Sequence, residues 1–132
     1  MPDRYFTLEE ARGHVPWLAQ LFADLKPLRA RAQELGGETR ALEQRIGSNG
    51  GSATRDRLEQ QRTLFEEVAA QINQKADAIS ERGILVKGIE PGLVDFPSLR
   101  EGREVYLCWR EGETEIDFWH EVDAGFAGRQ PL

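Results

Sequence analysis

The side chains best suited to chemistry are concentrated near the end of the chain, in residues 119–129. An imidazole, His120, is followed at once by the carboxylate of Glu121 and, three positions on, by that of Asp123. Successive side chains of a strand point to opposite faces, so His120 and Glu121 cannot aim at one point while the strand is regular. His120 and Asp123 can converge if the chain turns at Val122.

A neutral imidazole with carboxylates is a ligand set suited to zinc, manganese or iron. Glu104 or Asp95, both on predicted neighbouring strands, can complete such a set. His120, Asp123 and Glu104 are therefore candidate ligands of a divalent-metal site. The spacing lacks the helical HExxH arrangement, and His14 is the only other imidazole. The favoured interpretation is structural, with His120 bonded to Asp123 or to a backbone carbonyl so that it orders the tail.

The glycines of residues 123–129 and the guanidinium of Arg129 suggest a second kind of site, which would bind an anion. Glycines let backbone amides approach an anion, and Arg129 can clamp one with two hydrogen bonds. The segment lacks the strand and helix that flank nucleotide-binding loops. The structural alternative is that Phe126 packs on the core and Arg129 pairs with a nearby carboxylate.

Charge and cysteine content limit the function classes. The net charge of -6 argues against nonspecific DNA binding as the main role. The single cysteine, Cys108, excludes an internal disulfide and a CxxC pair, and we expect it to be a buried apolar residue. No apolar run approaches the roughly 20 residues of a membrane-spanning helix, and the first residues lack a signal-peptide pattern. The expected location is the cytoplasm, without membrane contact.

The charges are also unevenly distributed along the chain. Residues 26–62 carry eight basic and five acidic side chains, a balance of +3. Residues 63–132 carry seven basic and fourteen acidic side chains, a balance of -7. The basic segment supports a hypothesis of RNA or ribosome contact, whose strength would fall steeply with salt. The arginines of this hypothesis lie at a predicted hairpin tip: Arg40, Arg45, Arg55 and Arg57.

The first two thirds of the sequence predict the scaffold, beginning with a helix. Thr7 and Glu10 form a capping-box pattern that starts it. Apolar positions then recur at alternating steps of three and four, a coiled-coil pattern whose phase continues through the glycines at 36–37. Pro16 either kinks this helix, together with Pro27, or opens a fresh helix after a short first one. The seam positions are Leu18, Leu21, Leu25, Leu28, Ala32, Leu35, Thr39, Leu42 and Ile46.

A glycine-rich loop at residues 47–53 precedes the return helix. Its apolar positions recur every seven residues, and Gly83 is placed to cap its end with a positive φ. We predict an antiparallel hairpin over residues 7–82. Arms of nearly thirty residues extend about 40 Å, and the rest of the chain is too short to cover both apolar stripes. A homodimer through the hairpin, completing a four-helix bundle, is therefore expected. The return-helix positions are Leu58, Phe65, Ile72 and Ile79, with Val68, Ala69 and Ala76 beside them.

After the hairpin the periodicity becomes that of β-strands. Residues 84–89 and 93–97 predict two strands joined by a type II turn centred on Pro91-Gly92. Residues 103–110 and 114–121 predict a second pair, joined by a compact loop. Both faces of the third strand are apolar, so the sheet is expected to be covered on one side by the helices and on the other by the tail, a symmetry mate or a ligand.

These elements together predict an α+β fold in a single domain of residues 1–132. A long antiparallel, coiled-coil-like helical hairpin is followed by a small antiparallel sheet of three to four strands and a tail, in residues 84–132. Without a nucleophile triad or a cofactor fingerprint, the features favour a noncatalytic dimeric interaction or assembly protein with a protein partner. Metal binding, with or without catalysis, and RNA contact are the alternatives.

Four motifs resemble a family of small bacterial proteins, domain of unknown function 2203. The motifs are FTLEEA at residues 6–11, GLVDFP at 92–97, EVYLCW at 104–109, and WHE with DAGFAGR within 119–129. The resemblance spans essentially the whole chain. It implies a bacterial, cytoplasmic protein and carries over no activity.

Overall fold

The computed structural model describes residues 4–49 and 51–132. Three helices precede five strands, which confirms the α+β fold and adds at least one strand to the three or four predicted. The chain divides into two compact units, a sheet unit of Met1–Ala23 with Ala76–Leu132 and a hairpin unit of Asp24–Lys75. The elements are α1 (Leu8–Gly13), α2 (Val15–Asn49), α3 (Ser52–Glu81), β1 (Leu85–Ile89), β2 (Gly92–Arg100), β3 (Arg103–Arg110), β4 (Phe118–Glu121), a 3-10 turn (Phe126–Gly128) and β5 (Gln130–Pro131).

The hairpin unit contains most of α2 and α3, packed against each other. α2 continues unbroken through residues 36–37, as predicted. Leu35, Leu42 and Leu58 are buried on the predicted seam. Phe65 stays well exposed, with its ring over the backbone of Gly36. Because α2 extends to Asn49 and α3 begins at Ser52, most of the predicted loop 47–53 is helical; Gly50 lies outside the described residues.

In the sheet unit, local signals set the helix ends. The Thr7 amide donates to the Glu10 carboxylate at 2.8 Å and the Glu10 amide donates to the Thr7 hydroxyl at 3.1 Å, which confirms the capping box. α1 ends at Gly13 and α2 begins at Val15, so Pro16 lies in the first turn of a fresh helix, where its missing amide proton costs nothing. Gly83 follows α3 with φ 86°, as predicted.

The sheet is antiparallel, in the order β1-β2-β3-β4-β5. Ile89 pairs with Gly92, so the first turn consists of Glu90 and Pro91, joined by a cis peptide bond. The predicted type II turn centred on Pro91-Gly92 is therefore wrong, because Gly92 already belongs to β2. β4 begins only at Phe118, since residues 111–117 form a longer connection than predicted.

One face of the sheet carries the core of this unit. Phe22 stacks near Trp109, with ring centroids 6.0 Å apart, and lies against Gly92, where a Cβ atom would come within 2.6 Å of its ring. Phe6 meets Phe96 edge to face at 5.2 Å. The other face carries a mixture of polar and apolar side chains, including Asp95, Cys108 and His120. The buried apolar residues of the strands are Val94, Phe96, Val105, Leu107, Cys108, Trp109 and Trp119.

Candidate functional site

The register of the sheet brings three side chains of different chemistry together. Asp95 of β2 pairs with Cys108 of β3, and His120 of β4 pairs with Tyr106, two positions before Cys108. Because alternate residues of a strand share a face, all these side chains lie on the face opposite the core. One ligand atom from each of Asp95, Cys108 and His120 falls within 4.8 Å of the other two. We call these three residues the DCH cluster.

The DCH cluster is buried. Asp95 is 3% exposed and His120 is 1% exposed, while the Cys108 thiol is fully enclosed. Carboxylates in particular are almost never fully buried unless they are paired, because removal of their hydration is costly. Three such groups at one place on a sheet therefore need a specific arrangement of protons or a bound cation to offset that cost.

Hydrogen bonds fix the orientation of the imidazole. Nδ1 of His120 is 2.7 Å from the backbone carbonyl oxygen of Glu121. A carbonyl oxygen can only accept, so Nδ1 carries a proton and donates it. Nε2 faces Oδ1 of Asp95 at 3.0 Å, and this second bond requires a further proton between the two atoms. A metal-binding histidine commonly has this arrangement, in which one nitrogen donates to a carbonyl and the other is aimed at the ligand set.

The Cys108 thiol is held in its protonated form. Burial is the main cause that raises its pKa, to about 12, and the adjacent carboxylate of Asp95 raises it further. A nucleophilic cysteine needs a depressed pKa, so this environment does not support thiolate catalysis by Cys108. A coordinated metal ion removes the proton outright and makes the same sulfur a ligand.

Tyr106 borders the cluster. Its ring meets that of His120 nearly edge to face, with centroids 5.6 Å apart. Burial, followed by the carboxylates of Glu104 and Asp95, raises the pKa of the phenol. Tyr106 is therefore a neutral wall of the site at ordinary pH.

The DCH cluster opens to a cleft of about 140 Å³ on the same face of the sheet. Lys87 reaches this cleft from β1, where the register shifts between Val86 and Gly88. Leu85 pairs with Asp95 and lies two positions before Lys87, so regular alternation already places Lys87 on this face. The remaining lining residues are Leu93, Tyr106, Val122, Gly125 and Phe126.

The residues predicted for a metal site separate in the structure. His120 is in the DCH cluster, whereas the exposed Asp123 and the partly exposed Glu104 are outside it. Both ring nitrogens of His120 are bonded to groups other than Asp123. Asp95, named as an alternative ligand, takes the carboxylate position. Cys108, expected as an apolar residue, is buried and also joins the cluster.

Arg129 has a protein partner in place of a free anion. Its Nη2 lies 2.8 Å from both carboxylate oxygens of Glu113. The guanidinium also stacks on Phe118 and Phe126, at 4.2 and 4.6 Å from their ring centroids. Phe126 remains 39% exposed at the edge of the cleft, so it does not fill the core.

The four arginines of the RNA hypothesis are exposed in the hairpin unit. Arg45 and Arg57 line one groove of about 460 Å³, together with Arg31. Arg40 and Arg55 do not line that groove.

Among the described residues, none of the helices has the length and the hydropathy that a membrane-spanning helix requires.

Comparison with known proteins gives one match. Neither the curated proteins nor the solved structures include a significant match to this sequence. The model of the family described as "Uncharacterized conserved protein (DUF2203)" matches residues 4–132, which include all three residues of the DCH cluster and the helices and strands around them. The chain therefore belongs to the DUF2203 family.

Proposed function

We propose that this protein binds a divalent transition metal, with zinc the best fit, through Asp95, Cys108 and His120. The observation that carries the proposal is the convergence of a carboxylate, a thiol and an imidazole within 4.8 Å on three adjacent strands. A mixed set of sulfur, nitrogen and oxygen ligands suits zinc. Calcium and magnesium prefer sites built only from oxygen.

The electrostatics of the cluster support a dication. When a metal displaces the thiol proton, thiolate and carboxylate together supply two negative charges, which balance a divalent cation among buried side chains. The bond from His120 Nδ1 to the Glu121 carbonyl leaves Nε2 facing the cluster, as a ligand requires. Rigid strands hold all three residues, so the set is preorganised in the folded chain.

Metal analysis of the untagged protein, purified without chelators, tests this proposal. We expect close to one equivalent of zinc or a related metal per chain. Cys108→Ser and Asp95→Asn should each lose most of it, because each removes one ligand. The matched controls are Asp123→Asn and Glu104→Gln, which remove carboxylates outside the cluster.

The same variants separate the two ligand sets. Retention of metal by both controls, with loss in the cluster variants, supports the DCH cluster. Loss in Asp123→Asn and Glu104→Gln, with Cys108→Ser unaffected, would contradict it and favour the set of His120, Asp123 and Glu104. Circular dichroism of each variant checks that the fold is retained.

A second candidate function is noncatalytic assembly as a homodimer through the helical hairpin. It is supported by Leu64 and Phe65, large apolar residues that α3 leaves exposed. Beside Phe65 lies a hollow of about 210 Å³, lined in part by Gly36 and Thr39. Exposed apolar patches of this kind mark interaction surfaces.

Sedimentation velocity tests the homodimer. We expect a dimeric mass that Phe65→Asp shifts toward the monomer, because a buried charge without a partner is costly. Leu99→Asp, an equally drastic change at an exposed leucine of β2, is the control. A monomeric wild type would contradict this candidate.

A further inference from the structure

The protein provides fewer ligands to the proposed metal than a zinc ion takes. The DCH cluster offers three ligands, and zinc sites with three protein ligands take water or substrate at the fourth position. All three residues line the cleft of about 140 Å³. A metal bound by all three would therefore lie beside that cleft.

The charges around the cleft favour a negatively charged ligand. A dication bound by one thiolate, one carboxylate and a neutral imidazole has no net charge. Among the residues that line the cleft, the ammonium of Lys87 then remains as an unbalanced positive charge. Its Nζ lies 5.3 Å from the ring centroid of Tyr106, which borders His120. The nearby guanidinium of Arg129 is neutralised by Glu113. Glu104 lies on the same face of β3 as Tyr106, so an anion with one negative charge meets less repulsion there than one with two.

The rest of the cleft is apolar and small. Leu93, Val122 and Phe126 line it, and the last two are 44% and 39% exposed. The cleft volume of about 140 Å³ suits a small molecule. A short, branched aliphatic tail matches both the volume and the lining.

We infer that the site binds a small aliphatic monocarboxylate, whose oxygen takes the fourth position on the metal and whose charge is met by Lys87. This inference rests on the proposed metal site. It assigns the ligand class of that site and gives Lys87, which no sequence motif marked, a role in binding. The apolar tail of the ligand would lie on Leu93, Val122 and Phe126.

Cobalt-substituted protein allows the metal and the ligand to be tested separately. Cobalt bound through Cys108 gives a sulfur-to-metal charge-transfer band, and its visible bands report the fourth ligand. Titration with isobutyrate should shift the visible bands saturably. Isobutyrate should bind about fifteenfold tighter than acetate, because it buries two additional carbon groups and each contributes about fourfold. Isobutyramide, a neutral molecule of the same shape, should leave the bands unchanged.

Variants assign the role of Lys87. Lys87→Met should weaken isobutyrate binding about tenfold, the order expected for loss of a charge-assisted hydrogen bond, and leave the charge-transfer band intact. Lys87→Arg should retain most of the affinity, and Lys75→Met, at a lysine outside the cleft lining, should change nothing.

The possible failures are distinguishable. A charge-transfer band with no response to isobutyrate, or an equal response to isobutyramide, would overturn the inference and leave the metal site standing. Unchanged affinity in Lys87→Met would also overturn it. Absence of the charge-transfer band at saturating cobalt would instead overturn the proposed metal site.

Discussion

Binding of zinc to the metal-free protein should release about two protons per metal ion. The count follows from the hydrogen bonds of the DCH cluster. One proton lies between Nε2 of His120 and Oδ1 of Asp95, and the metal takes both of those atoms. A second proton is on the Cys108 sulfur, whose pKa of about 12 keeps it protonated throughout the neutral range. The proton on Nδ1 stays, because the Glu121 carbonyl accepts it.

Isothermal titration calorimetry measures this number. Zinc is titrated at one pH in several buffers of different ionisation enthalpy, and the slope of the observed enthalpy gives the protons released. By linkage, each released proton raises the apparent affinity about tenfold per pH unit, so two protons give about a hundredfold between pH 6.5 and 7.5. Affinity should therefore rise with pH, since the metal competes with fewer protons.

Variants show how many of the released protons come from Cys108 and how many from the pair of His120 and Asp95. Cys108→Ser should release about one proton at saturating zinc, because a serine hydroxyl does not ionise in this way. Asp123→Asn should still release about two. Release of less than one proton by the wild type, or a count that Cys108→Ser leaves unchanged, would refute the assignment of sulfur and imidazole as ligands.

Four further predictions concern stability and reactivity. Gly92→Ala should destabilise the fold by about 1–3 kcal/mol in chemical denaturation, because the new Cβ would overlap the Phe22 ring; an unchanged midpoint would contradict that packing. Thr7→Ala should cost about 1 kcal/mol through loss of the helix cap, measured in the same way. Hydrogen bonds from Thr7 lower the pKa of Glu10, so its stabilising contribution should be present above pH 4.5 and lost at lower pH, in contrast to Glu10→Gln. In metal-free native protein, a disulfide reagent at pH 8 should modify Cys108 only as fast as the chain opens; rapid modification would contradict its burial and raised pKa.

The helices could be predicted because their signals are local. Thr7 and Glu10 specify a start within one turn, and the apolar seam keeps its phase through residues 36–37. The position of the hairpin break was harder to predict. Glycines at 47 and 51 suggest a long loop, yet α2 reaches Asn49 and α3 begins at Ser52, since helix propensity alone does not set where a packed helix ends.

The candidate site depends on nonlocal register, which a single sequence encodes weakly. Strand parity identified which residues share a face with His120. It did not identify Cys108 as the residue opposite Asp95, because that pairing is set by how β2 and β3 turn at residues 101–102. Cysteine is also a common residue of buried cores, and only the neighbouring Asp95 and His120 make Cys108 a candidate metal ligand. Lys87 was not identified either, because its approach to Tyr106 and His120 depends on how the strands β1 to β4 pair.

X-ray absorption spectroscopy of the zinc-loaded protein is the decisive test of the ligand set. It counts the ligand atoms around the metal and identifies sulfur by its longer bond. We expect one sulfur at about 2.3 Å and nitrogen or oxygen ligands at about 2.0–2.2 Å, with the sulfur absent in Cys108→Ser. A zinc shell made only of nitrogen and oxygen in the wild type would contradict the site formed by Asp95, Cys108 and His120.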